Sequence, residues 1–78
     1  MIGDVVEGCM VAWLDPPETT GQPPALRKVD NATARHAGAN IVEIGIPHTS
    51  RIIRKKLNGG KMIIRAPDGR DLVADWKE

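Results

Sequence analysis

The sequence contains no phenylalanine and no tyrosine, and its two large aromatic side chains are Trp13 and Trp76. Proteins that bind single-stranded nucleic acid stack bases on several aromatic rings. Two tryptophans in so short a chain read instead as core anchors. Cysteine is nearly absent: Cys9 stands alone, so no disulfide can form within the chain. One cysteine and two scattered histidines are also too few for a structural zinc site. No apolar run approaches the length of a membrane-spanning helix. The opening "MIGDVVEG" has neither a basic n-region nor an apolar core, so no secretory leader is expected. Gly3 is one place too late for the myristoylation pattern. With a lone thiol, a reducing cytoplasm is expected. "NAT" at 31–33 matches a glycosylation acceptor only by chance in that setting. There is no internal repeat.

Charge of one sign is lacking too. Eleven basic and ten acidic residues give a net charge of +1. Residues 1–42 hold five acidic and three basic side chains, a net of −2; residues 43–78 hold five acidic and eight basic, a net of +3. The second half permits phosphate contacts without demanding them. Seventy-eight residues make one domain, 1–78. A chain of this size buries only about 60–65% of its unfolded surface. With no staple, it needs a well-packed core or support from a partner or a second copy.

What is present is mostly strand-like. "DVVEGCMVAWL", 4–14, is rich in β-branched and bulky residues, apolar on both faces, with Gly8 placed to make a bulge that shifts the phase. "DPPETTGQPP", 15–24, holds four prolines and one glycine and is expected to be an exposed loop. "ALRKV", 25–29, suits a short strand. "DNATARHAG", 30–38, offers Asp30 or Asn31 as N-cap and Gly38 as stop for a turn or two of helix. "NIVEIGIP", 40–47, alternates as a half-buried strand ending at Pro47. "HTSRIIRKKLNGGK", 48–61, is read as a short amphipathic helix over about 49–58, capped by Thr49 or Ser50 and stopped by Gly59. Arg51, Arg54, Lys55 and Asn58 would line its polar side; Ile53 and Leu57 would face the core. Lys56 would lie between the isoleucines with its ammonium reaching water. "KMIIRAPDGRDLVADW" is read as a β-hairpin over about 61–76, turned by A-P-D-G. Closing that loop pairs Lys61 with Asp75, Ile63 with Val73 and Arg65 with Asp71, and puts Trp76 on the buried side. The expected fold class is α+β: a mostly antiparallel sheet with one short helix packed on it.

Little in this pattern signals chemistry. Cys9 with His36 or His48 has the types of a thiol nucleophile and base, but Cys9 lies mid-strand among apolar residues, as buried inert thiols do. Asp68 and Asp71 flank a turn, where turn formation and pairing with Arg65 account for both. "LNGGK" lacks the spacing of a phosphate loop and follows the expected helix rather than preceding one. No catalytic, cofactor or metal site is expected, and the chain reads as non-enzymatic. The one candidate interaction surface is basic: Arg51, Arg54, Lys55, Lys56 and Lys61. An acidic protein or nucleic-acid phosphates would suit it, and so would plain solvation.

The run "GIPHTSRIIRKKLNGGKMII" resembles short uncharacterised proteins encoded in the tail region of Mu-like prophages. The similarity rests on Ile46, Pro47, His48, Thr49, Ser50, Ile52, Arg54, Lys55, Lys56, Leu57, Gly60 and Met62, within residues 45–64. Isoleucine stands here where that family tends to have tryptophan. The resemblance implies a small virion or assembly component, with no activity to carry over. The first expectation is therefore a structural or assembly protein with a protein partner or a homo-oligomeric state, and no membrane. The alternative is a nucleic-acid-binding module using residues 51–56.

Overall fold

The computed structural model describes residues 3–57 and 61–76. These residues form β1 (Val5–Asp15), β2 (Ala25–Gly38), β3 (Ile41–Gly45), β4 (Ile52–Lys56), β5 (Met62–Arg65) and one helix, α1 (Leu72–Trp76). The strands make a single antiparallel sheet in the order β4-β3-β2-β1-β5. The first four strands meander, and β5 returns to pair with β1 on the side away from β2. Residues 16–24 carry neither helix nor strand and are exposed throughout.

One face of the sheet is packed. Cys9, Val11, Trp13, Ala32, Ala34, Val42, Ile44, Met62 and Ile64 are buried on it, with Leu57, Ala66, Leu72 and Trp76 completing the core. The β1–β2 register shows how that face stays continuous. Glu7 pairs with Thr33, Cys9 with Ala32, and Val11 with Val29. Gly8 is thus an extra residue in β1, with φ of 77°, and Asn31, with φ of 59°, falls in a matching excess in β2. Each bulge flips the phase, so that Val6, Cys9 and Val11 all turn inward. Glycine and asparagine are the residues that adopt this left-handed backbone at least cost.

Bulges also increase coiling, and the sheet is rolled. In a flat sheet β4 and β1 would lie three spacings apart, about 14 Å. Yet Lys55 on β4 donates from Nζ to Asp15 Oδ1 of β1 at 3.0 Å, and the same ammonium sits 5.6 Å from the centre of the Trp13 ring. The inner face is therefore concave enough for the two strands to touch across it. α1 covers that face, with Leu72 and Trp76 buried.

Three expectations are corrected. The helix expected over about 49–58 is not seen in the described part, 49–57: 52–56 form β4, preceded by a tight turn in which Thr49 Oγ1 accepts from Arg51 N at 3.1 Å. Asn58 and Gly59, the expected end of that helix, lie outside the described residues. β3 explains the change, because its outer edge carries backbone groups that β4 pairs from Ile41–Lys56 to Gly45–Ile52. Residues 30–38 are strand as well: Asn31 makes the bulge rather than a cap, and Ala32, Ala34 and His36 face inward. The C-terminal hairpin forms only at its turn. Gly69 N donates to Ala66 O and Ala66 N to Arg70 O, both at 2.9 Å, Gly69 has φ of 87°, and Arg65 bridges Asp71. The second arm then coils into α1, so Ile63–Val73 and Lys61–Asp75 do not pair. Asp71 Oδ1 accepts from Val73 N at 3.1 Å and Ala74 N at 3.3 Å, capping the helix. A strand there would have lengthened the sheet; the helix carries Trp76 across the open inner face instead.

Candidate functional site

The inner face is full, so the functional question moves to the outer face and to the mouth of the roll. Five large aliphatic side chains are exposed: Val5 (55%), Leu14 (50%), Leu26 (68%), Ile52 (65%) and Ile63 (45%). Register places all five on the outer face. Leu14 lies opposite Leu26, and Ile63 opposite Ala12 one step along. At the other end of the sheet Val5 lies opposite Arg35, and Ile52 opposite Gly45.

Val5 and Ile52 flank a shallow groove of about 350 Å³. Its floor is open because Gly45 has no side chain; a Cβ there would come within 3.3 Å of Thr33 Cβ. One rim is an ion-pair cluster laid straight across three strands. Arg35 Nε donates to Glu43 Oε1 at 2.9 Å, and Arg54 Nε to Glu43 Oε2 at 2.8 Å. Arg35, and then Arg54, hold the Glu43 carboxyl below the usual carboxylate range. The other rim is the β3–β4 turn, with Thr49, Ser50 and Arg51.

The mouth of the roll is a second concavity, of about 440 Å³. Asp15 is its hub. It accepts from Lys55 Nζ at 3.0 Å, Trp13 Nε1 at 2.7 Å and Arg27 Nε at 2.9 Å. These donors, Lys55 foremost, keep its carboxyl below the usual range against the opposing pull of burial.

The five basic residues picked from the sequence do not form one stripe. Arg54 points outward to Glu43, and Lys55 points inward to Asp15. Arg51 stands on the turn between the groove and the mouth, lining both. Lys56 and Lys61 are exposed and share a crevice of about 170 Å³ with Trp13, Leu14 and Pro16. Sequence reasoning missed Asp15, Arg35, Glu43 and Gly45. The alternation of "NIVEIG" placed Glu43 and Gly45 on one face, but only register shows what they meet.

The residues weighed for catalysis have structural roles. Cys9 is fully buried, donates from Sγ to Val6 O at 3.3 Å, and burial pushes its thiol pKa up. Asp68 Oδ1 accepts from Arg70 N at 3.0 Å, holding the turn, and Asp71 caps α1. Among the described residues no group of three or more His, Cys, Asp or Glu could hold a metal ion, and no helix is long and apolar enough to cross a membrane. No family model, no curated protein and no solved structure matches this chain.

Proposed function

We propose that this chain is a non-enzymatic structural or assembly protein that joins its partner, a second copy of itself or another protein, through the outer face of the rolled sheet. The observation that carries this reading is the placement of Val5, Leu14, Leu26, Ile52 and Ile63, all exposed and all on one face. Scattered exposed aliphatics need no explanation; a face that collects them, beside an open groove, is what protein contacts use. The edges are less suited to partnering. Edge strand β4 alternates outward Arg54 and Lys56 with an inward Lys55, the charged pattern that discourages strand addition. A small virion- or tail-associated component, as the prophage resemblance implies, is the biological setting that fits this reading.

Sedimentation velocity of the whole chain, alone over a wide concentration range and co-expressed with the products of neighbouring genes, tests the proposal. Association that is lost in Leu26→Glu and Ile52→Glu, with thermal stability retained, is the expected result. A chain that stays alone under every condition, or whose association ignores both changes, would overturn it. Salt-dependent binding to oligonucleotides by a chain that shows no protein association would favour the nucleic-acid alternative.

A further inference from the structure

The mouth of the roll has a charge pattern that the proposed assembly face does not explain. Three cationic residues, Arg27, Arg51 and Lys55, line one concavity with a single carboxylate, Asp15; Lys28 touches its edge, but its place opposite Ala12 turns its side chain to the outer face. That carboxylate is already engaged by three donors. The mouth therefore carries an excess of two positive charges. Arg51 has no ion pair among the described residues, Arg27 uses only its Nε on Asp15, and the Lys55 ammonium has donors left over. Charges of one sign inside a concave, low-dielectric wall reinforce one another and draw in the opposite charge. We infer that the mouth of the roll binds an oligophosphate, held by Arg27, Arg51 and Lys55.

Chemistry and shape both select this ligand class. Three cations around a rim match a multivalent anion better than a single carboxylate, and guanidinium groups pair with phosphate oxygens two at a time. The concavity, about 440 Å³, has room for two or three linked phosphates. A base has no stacking platform, because Trp13 is only 6% exposed and Lys55 stands over its ring. Recognition therefore falls on the phosphate chain, whether free or carried by a nucleotide. The site lies on the concave side, apart from Leu26 and Ile63, and does not depend on the assembly reading.

The indole N–H of Trp13 reports on the site, because it donates to the Asp15 carboxylate at its centre. Trp76, stacked on His36 under α1, serves as the internal reference. Titrating tripolyphosphate into the ¹⁵N-labelled chain at low ionic strength should shift the Trp13 indole resonance and leave that of Trp76 in place. The Arg51→Gln variant, which breaks no ion pair among the described residues, should keep the fold and bind about threefold more weakly. Equal affinity for tripolyphosphate and ATP would identify the phosphate chain alone as ligand; tighter ATP binding would identify a nucleotide. A Trp13 resonance that does not move, or that titrates with the same affinity in Arg51→Gln as in the parent, would overturn the inference.

Discussion

The indole of Trp76 lies flat against the imidazole of His36, with ring centroids 5.5 Å apart and planes inclined by 12°. This contact joins the last described element, α1, to the C-terminal end of β2, and both rings are buried, at 5% and 4% exposure. Neither nitrogen of His36 has a hydrogen-bond partner among the described residues. A buried polar group without a partner costs about 1–3 kcal/mol. His36→Phe keeps a ring for Trp76 to stack on and removes both unpartnered atoms. It should raise stability by about that amount in urea denaturation. A clear loss would show that the imidazole nitrogens are satisfied in solution. Trp76→Ala, by contrast, should cost about 3–5 kcal/mol.

Stability should also fall in acid, for reasons located at two carboxylates. Asp15 is held below the usual range first by Lys55, then by Trp13 and Arg27. Glu43 is held there by Arg35 and then Arg54. A carboxyl with a depressed pKa in the fold stabilises it while ionised, above its unfolded value. That contribution fades as pH falls through the folded value. Unfolding midpoints measured from neutral pH downward should therefore drop below about pH 4. The combined Asp15→Asn and Glu43→Gln variant should start less stable and show a flatter decline. An equally steep decline would place the acid-sensitive groups elsewhere.

The two bulges should respond differently to the same kind of change. Gly8→Ala forces a side chain onto a backbone with φ of 77° and puts its Cβ 3.2 Å from Pro67 Cγ. Strain and crowding together should cost about 1–2 kcal/mol or more. Asn31→Gly retains a residue that tolerates φ of 59° and should be nearly neutral, whereas Asn31→Val should cost about 1–2 kcal/mol. Thermal unfolding of the three variants distinguishes backbone strain from loss of side-chain contacts.

The basic residues of 51–56 should not be equivalent. Arg51→Gln and Lys56→Gln alter exposed side chains without ion pairs among the described residues and should stay within about 0.5 kcal/mol of the parent. Lys55→Gln removes the link from β4 to Asp15 and Trp13 and should cost about 1 kcal/mol. Equal effects at all three positions would mean that Lys55 does not bridge the roll.

Strands β1 and β3, the Gly8 bulge and the A-P-D-G turn were all legible in the sequence, because alternation and turn chemistry act locally. The two largest misreadings share a physical cause. Residues i and i+4 lie on one side of a helix and also on one side of a strand. Ile53 and Leu57 therefore satisfy either geometry, as do Leu72 and Trp76, and the choice is made by what each segment must cover. β4 covers the edge of β3, and α1 covers the inner face. In β2, Asp30 or Asn31 and Gly38 read as the cap and stop of a helix, yet the small Ala32 and Ala34 between them suit the crowded inside of a roll. The candidate surface was legible only as a set of charges. That Arg54 and Lys55 point to opposite faces, each toward a carboxylate on another strand, follows from register, which a sequence without its pairings does not show.

The return of β5 to β1 sets the order in which this protein can be finished. Met10 waits for Arg65, and Trp13 for Met62, across most of the length of the chain. Pairings so distant in sequence form slowly, since the loop must close before any contact compensates for it. A ribosome releasing the chain would expose the meander of β1 to β4 with the open edge of β1 and an uncovered inner face. Only residues 62–76, which emerge later than the meander, close that edge and lay α1 over the core. The interval before they do is when the nascent protein is most open to a chaperone, a protease or a neighbouring copy of itself.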